Sequence, residues 1–322
     1  MEFDLSRIFT ITLIYATLRS ATPLIYAALC ASLTQQANIL NIGTEGIMLV
    51  GAFCAVAVSF FTGSWVFGVL VAMAAGVVMG LIMAVGHIKY QADNCAIGIG
   101  LNLFALAITK FLLNSVLGKA GTFTDPNLSG IPRINIPFFE GNEFLNSVFN
   151  NWSLTEWFVL VLIVLITIAL YKTAWGLRLR AVGQLAAAAQ TAGINVNAMK
   201  YQSIIIASLI GGLAGAHLSL GYSTMFVENM TNGRGFMGVA AMFFGRANPM
   251  LTTVGCLVFG FADSVGSRLQ PFGVPSQIIL MMPYIVTVFV LAVSLAIKKS
   301  QEKRRSSALT GAPLPVRDEV DL

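Results

Sequence analysis

Apolar residues along this chain come in long, nearly unbroken stretches parted by short polar ones, the pattern of a polypeptide that crosses a bilayer repeatedly. At about 20 residues per crossing, the stretches 10–35, 42–62, 65–88, 95–117, 157–172, 201–221, 250–268 and 275–297 predict membrane-spanning helices. A further apolar piece, 235–246, falls well short of the roughly 30 Å hydrocarbon core at about 1.5 Å per residue. It reads either as a re-entrant segment or as a short crossing shielded by other helices. The fold class expected is an all-α polytopic membrane protein with about nine membrane segments, one of them short.

Composition supports the pattern. Of 322 residues, 57% are hydrophobic and 10% charged, with a mean hydropathy of +0.80. Soluble domains carry about 25% charged residues, so a cytosolic enzyme, a secreted disulfide scaffold and a nucleic-acid binder are excluded. Cys30, Cys54, Cys95 and Cys256 lie in or beside apolar runs without paired spacing, and read as small buried hydrophobes. The N-terminus has no basic n-region and no small-residue cleavage site, so no removed signal peptide is expected.

Charge sets the orientation. With nine crossings, one side collects Lys89, Lys172, Arg178, Arg180, Lys200, Arg246 and the six basic residues of the tail. That is twelve basic residues against five on the other side, with Arg19 and Lys110 inside spans. The positive-inside rule then puts the N-terminus outside and the C-terminus in the cytoplasm. Residues 1–300 form the transmembrane domain, with a Pro- and Asn-bearing outer loop 118–156 and a cytoplasmic loop 173–200. The polar tail 301–322 is expected to be disordered. The first four spans and the four after the 173–200 loop run in opposite senses. Asn41-Ile-Gly and Asn232-Gly-Arg-Gly stand at matching places in the two halves, the signature of an inverted repeat.

Polar residues within spans are expensive and so are functional candidates. Glu45, at the start of the second span, reads either as an acid favoured near a helix N-terminus or as a group shaping a path. Asn41 adds a break between the first two spans. Asn102 offers a donor and an acceptor, and Lys110, eight residues on, falls on roughly the same face, snorkelling or paired with an acid. Pro23 removes a helix donor just after Arg19. His217 reads as a satisfied packing residue, and Asp263 as a partner for Arg268. No phosphate loop, metal-ligand cluster or nucleophile pattern occurs, so a transporter's energy must come from a gradient or a partner.

The loop after Tyr171 reads Lys-Thr-Ala-Trp-Gly-Leu-Arg-Leu-Arg-Ala-Val-Gly-Gln, then an alanine-rich stretch over 185–192 that predicts a short helix closed by Gly193. With Ala21-Thr-Pro-Leu, Asn41-Ile-Gly-Thr-Glu-Gly-Ile-Met and Gly233-Arg-Gly-Phe…Phe-Gly-Arg-Ala-Asn-Pro, it resembles the permease subunits of ABC importers for ribose-type sugars, branched-chain amino acids and nucleosides, most of all the purine nucleoside branch. The resemblance covers about residues 15–297. The family's loop usually continues Gly-Glu-Asn-Pro-x-Ala-Ala, where this chain has Gly183-Gln-Leu-Ala-Ala-Ala-Ala.

The resemblance implies a four-part machine: a second related permease, two ATP-binding subunits or a tandem ATPase, and an extracytoplasmic solute-binding protein, set in membrane lipid and without nucleic acid. ATP and Mg would be held by the ATPases and no cofactor by this chain. Gly176, Arg178, Arg180, Gly183, Ala188 and Gly193 would couple to the ATPase. Asn41, Glu45, Asn102, Phe104 and Phe236 are the candidates for the substrate path, since a nucleoside needs both hydrogen bonds and a flat apolar surface. Simple sugars or branched-chain amino acids are the nearest alternative cargoes, and a gradient-driven carrier the alternative class.

Overall fold

A computed structural model describes residues 11–137, 141, 143–270, 281 and 285. The predicted span 275–297, apart from 281 and 285, and the tail 301–322 lie outside the described residues. Among them, seven helices are long and apolar enough to cross a membrane.

Helix α1 (Ile11–Gln36) keeps its helical course through Pro23 and runs from what we term the first face to the second. Next come α2 (Thr44–Thr62), then α3 (Trp65–Ala84), which ends in a π-helical turn over Val85–Lys89, and α4 (Asn94–Val116), whose N-cap Asp93 accepts from the amides of Cys95 and Ala96. The segment after α4 carries β1 (Thr122–Phe123), β2 (Arg133–Ile134), α5 (Glu143–Phe149) and β3 (Trp152–Ser153). Helix α6 (Leu154–Lys172) starts three residues before the predicted span, because Ser153 and Glu156 form a capping box that fixes its first turn.

At the second face lie α7 (Ala174–Gln184) and α8 (Ala186–Thr191). Only the latter was expected as a helix, and α7 is an addition that the structure makes. Helix α9 (Val196–Ala216) continues through a π-helical turn, His217–Tyr222, back to the first face. Strand β4 (Phe226–Val227), the short α10 (Arg234–Phe244) and α11 (Pro249–Leu269) complete the described chain. Strands β1 and β4 pair antiparallel with Thr122 opposite Val227, and β2 pairs with β3 with Arg133 opposite Ser153.

Lipid tails are as apolar as leucine, so packing inside the bundle depends on close backbone approach. Gly51 of α2 and Gly76 of α3 both abut Gly212 of α9, and a Cβ on Gly212 would strike the backbone of Ala72 and Met73. Helices α3 and α9 thus pack along their lengths, as do α1 and α11, with α2 against α9 and α10 against α1. The outward sides of α3, α4 and α6 carry exposed Phe67, Leu70, Phe111, Val161 and Leu165, as a lipid-facing surface requires.

Near the first face, α1, α6 and α9 are tied by polar groups. The Tyr26 hydroxyl donates to the Thr155 carbonyl at 2.7 Å, Thr155 Oγ1 lies 2.8 Å from Nδ1 of the fully buried His217, and Arg19 donates to the Tyr222 carbonyl at 2.6 Å. His217 is thus a packing residue as expected but only half satisfied, its Nε2 being buried with no hydrogen-bond partner among the described residues, while Arg268 donates to Thr12 Oγ1 at 2.7 Å.

Candidate functional site

Two helices begin inside the bundle rather than at a face. After α1 ends, the chain turns through Asn38, with a φ of 59°, and heads back inward, with Ile39 and Asn41 fully buried. Helix α2 starts at Thr44, whose hydroxyl donates to the Asn41 carbonyl at 2.9 Å and lies 3.9 Å from Cys30 Sγ. Cys30 precedes the end of α1 by six residues, so α2 starts about 9 Å back from that end at 1.5 Å per residue.

From the opposite face, the chain leaves Tyr222, passes β4 and several positive-φ residues including Asn229 and Asn232, and enters α10 through Gly233 at φ 82°. A side chain at that φ would be strained, which is why a glycine stands there. Helix α2 then runs to the first face and α10 to the second, where Gln36 Nε2 donates to the Ala247 carbonyl at 2.8 Å.

Glu45 joins the two starts. One carboxylate oxygen accepts from Gly233 N at 2.8 Å and the other from Gly235 N at 2.6 Å, while the residue itself sits in the first turn of α2. Helix N-termini carry unpaired N–H groups and partial positive charge, and here a single buried carboxylate, 8% exposed, serves both. Close approach is built in, because a Cβ on Gly235 would lie 2.6 Å from Glu45 Cα. The carboxylate therefore sits at a helix N-terminus as one of the two sequence readings has it, with the difference that the amides it binds are those of α10, while in its own α2 it only occupies the first turn.

Asn102 braces the same break from α4. Its Oδ1 accepts from Gly46 N at 2.8 Å and its Nδ2 donates to the Ile42 carbonyl at 3.1 Å, so both ends of the amide are used. Lys110 does not share its face, contrary to expectation. The buried stripe of α4 runs through Gly98, Leu101, Asn102, Ala105, Thr109 and Leu113, whereas Lys110 is exposed and pairs with Glu228 at 2.6 Å. Eight residues place two side chains about 80° apart at 3.6 residues per turn, enough to leave a narrow stripe.

Asn41, Glu45 and Asn102 are thus brought together. Phe104, 51% exposed on the outward side of α4, and Phe236, 45% exposed on α10, are not part of that cluster. Sequence reasoning missed Gly233 and Gly235 as the partners of Glu45, although it had matched their segment to Asn41-Ile-Gly in the other half. It also missed the Ile42 carbonyl. Asn41 Oδ1 and Thr231 Oγ1 are buried with no hydrogen-bond partner among the described residues, leaving polar groups beside the break unspent.

At the second face, Thr173 caps α7 by accepting from Gly176 N at 3.2 Å. Gly176 packs against the backbone carbonyls of Ala169 and Leu170, and Gly183 against that of Gln36. These two glycines therefore seat α7 on the ends of α6 and α1, within the chain's own packing. Arg178 is exposed, and Arg180 lies over the Tyr171 ring at 4.9 Å. Helix α8 buries Ala189 and exposes Leu185, Ala187 and Ala188. It is closed by Gly193 at φ 79°, with Ile194 N donating to the Ala189 carbonyl at 3.0 Å. A groove of about 600 Å³ separates α8 from the start of α9, lined by Ala186, Ala187, Gln190 and Asn195 among others.

A family profile described as branched-chain amino acid transport system / permease component matches residues 13–291. The chain belongs to this permease family. The permease is 34% identical to the guanosine ABC transporter permease protein NupQ of Bacillus subtilis over 308 residues, 89% of this chain and 93% of that one. It is 33% identical to the nucleoside ABC transporter permease protein NupC of Lactococcus lactis subsp. cremoris, over 85% of this chain and 89% of that one. Similarity also extends to the glucose ABC transporter permease protein TsgB13 of Haloferax volcanii, at 24% identity over 84% of this permease and 74% of the relative. No solved structure matches the permease significantly. It is a multi-pass membrane protein.

Proposed function

We propose that this chain is the membrane-spanning subunit of an ATP-binding-cassette importer that moves nucleosides into the cell across the cytoplasmic membrane. The observation that carries the reading is its 34% and 33% identity, over most of both chains, to permeases named for guanosine and nucleosides. The 24% identity to a glucose permease favours simple sugars as the second reading of cargo.

In this reading the chain spans the membrane nine times over residues 1–300, with the N-terminus and the 118–156 loop outside and the C-terminal tail 301–322 in the cytoplasm. Support for the orientation comes from Lys89, Lys172, Arg178, Arg180, Lys200 and Arg246 gathering toward the second face. The two halves are inverted repeats. The pairs α1–α11 and α9–α3, and α10–α1 and α2–α9, exchange when the halves are interchanged, which supports that symmetry. Broken helices whose N-termini meet in mid-bundle are how many transporters build a site for polar cargo. Here Glu45, which holds that junction, is proposed as a path residue together with Asn41 and Asn102 beside it, and Phe104 and Phe236, outside that cluster, are proposed as the apolar part of the path.

The chain carries no chemistry of its own. ATP and Mg belong to the ATP-binding subunits, which dock at α7–α8 through Arg178, Arg180, Ala188 and Gly193, with Gly176 and Gly183 holding α7 in place. A second permease and an external solute-binding protein complete the machine, and ATPase closure, transmitted through α7 to the ends of α1 and α6, gives alternating access. The test is uptake of labelled guanosine, adenosine and uridine in cells with and without the gene, with unlabelled ribose, glucose and leucine as competitors. Nucleoside uptake that needs both the gene and ATP, and that ignores the competitors, is the expected result. Uptake following the proton gradient would remove the ATP-driven reading, and competition by glucose or ribose would replace the cargo.

A further inference from the structure

At the second face a cleft of about 430 Å³ opens where the C-terminal ends of α1 and α10 meet α7, and Arg180 and Arg246 both line it. Gln35, Gln36, Asn38 and Gln184 add amide groups, and among the described residues no acidic side chain lines it. Nε of Arg180 is buried and has no hydrogen-bond partner among the described residues, while the Tyr171 ring, 4.9 Å from the guanidinium carbon, holds the group in place. Arg246 leaves the end of α10 at a φ of 50°, in the turn that closes that helix.

Two arginines beside two helix C-termini have a plain explanation, that they neutralise exposed carbonyls. Here the carbonyls of Thr34, Gln35, Ala241, Met242 and Phe243 are already occupied. Ala37 N and Ile39 N donate to Thr34 O, and Asn38 N to Gln35 O. At α10, Gly245 N donates to Ala241 O, Ala247 N to Met242 O and Arg246 N to Phe243 O. Among the described residues neither guanidinium has an acidic partner, so both remain able to serve something else. Immediately beside the cleft, α10 and α11 present an exposed apolar surface, with Phe243, Met250, Leu251 and Val254 outermost. A ligand suited to both features has a phosphate at one end and hydrocarbon at the other.

We propose that this cleft binds the phosphodiester headgroup of an anionic phospholipid, with Arg180 and Arg246 gripping the phosphate and an acyl chain lying along Phe243. Arginine forks match phosphate oxygens in pairs, and basic pockets between helices at a membrane face take anionic headgroups. The cleft abuts Gly183, the point where α7 rests on α1, so an occupying headgroup bridges α7, α1 and α10 and fixes their spacing. The inference rests on the cleft's geometry and is independent of which solute the permease carries.

The test is native mass spectrometry and thermal unfolding of the full-length chain in neutral detergent, titrated separately with dioleoylphosphatidylglycerol, dioleoylphosphatidylcholine and inorganic phosphate. Phosphatidylglycerol should bind and raise the unfolding temperature, while phosphatidylcholine and millimolar phosphate should not. The double variant Arg180→Gln/Arg246→Gln should bind phosphatidylglycerol about thirtyfold more weakly, from roughly fivefold per lost cation. Arg180→Lys/Arg246→Lys should recover part of that loss, and Arg178→Gln, on the same helix but outside the cleft, should bind as the wild type does. The double-lysine variant guards against misfolding, since it keeps the charge and changes only the fork.

Equal retention of the two lipids, or undiminished phosphatidylglycerol binding by the double glutamine variant, would overturn the proposal. Saturation by inorganic phosphate alone would make it a free-anion site and overturn the lipid assignment. Loss of partner assembly in the single variant Arg246→Gln, which keeps the Arg180 proposed for the ATPase contact, with lipid binding intact, would give the cleft to an acidic protein surface instead.

Discussion

Replacing Glu45 by Gln tests the junction directly. Glu45 accepts two backbone hydrogen bonds, 2.8 Å and 2.6 Å long, from the first amides of α10. Hydrogen bonds to a charged group contribute about 1.5–3 kcal/mol each, against about 1 kcal/mol for a neutral pair. Glutamine keeps one acceptor oxygen and turns an NH2 toward the other amide, so one bond is lost and the survivor weakens. The favourable charge at the helix N-terminus disappears as well. Together these cost about 3 kcal/mol, close to a hundredfold in a local opening equilibrium.

The assay is amide hydrogen exchange on a peptide spanning 231–236, read in wild type and Glu45→Gln. Exchange there should accelerate by about a hundredfold, with the α3–α9 contact unchanged, because opening is local to the start of α10. Glu45→Asp, one methylene shorter, should fall between the two. Wild-type exchange rates in Glu45→Gln would refute the view that this carboxylate holds α10 in place, and would leave the close contact of Gly235 with the α2 backbone as the junction's support.

Three further outcomes follow from the same geometry. Gly212→Ala should cost about 1–3 kcal/mol or more in thermal unfolding, since its Cβ meets the α3 backbone, whereas Gly100→Ala, with nothing within 4 Å, should stabilise by up to about 1 kcal/mol. Equal behaviour of the pair would contradict the packing. Gly183→Ala should drive α7 off the Gln36 carbonyl, reducing ATP-dependent uptake and lowering thermal stability together, read in uptake and unfolding assays on the same preparation. Arg178→Glu, on an exposed position, should cut uptake at least about tenfold through charge repulsion at the ATPase contact while the chain stays in the membrane at normal abundance. Normal uptake by that variant would remove Arg178 from the coupling surface.

How much of this could be read from residues alone differs from place to place. The long helices were legible, because twenty apolar residues have few alternatives in a bilayer, where every backbone group must pair within its own segment. The α8 helix was legible too, from its alanines and the glycine that ends it. The neighbouring α7 was not, since its Gly176 and Gly183 weaken the helical signal. Both exist for contacts with α6 and α1 that sequence spacing does not reveal. Likewise the start of α6 depends on a capping box whose Glu156 lies just before the apolar run that begins at 157, where hydrophobic patterning alone does not reach.

The sequence by itself therefore determined that the chain is a membrane protein, where its long helices lie, that Asn41 marks a break between the first two, and that Asn232-Gly-Arg-Gly stands at the matching place in the other half. It also marked Glu45 and Asn102 as polar groups needing a reason. Only the tertiary structure decided what those reasons are. Glu45 closes the start of a helix nearly two hundred residues away, Asn102 spans the break from Ile42 to Gly46, and Lys110 leaves that face for Glu228. The physical reason is one of range. Burial of apolar surface is set by local composition, whereas an unpaired amide or carboxylate is satisfied by whichever partner the packed bundle brings within 3 Å.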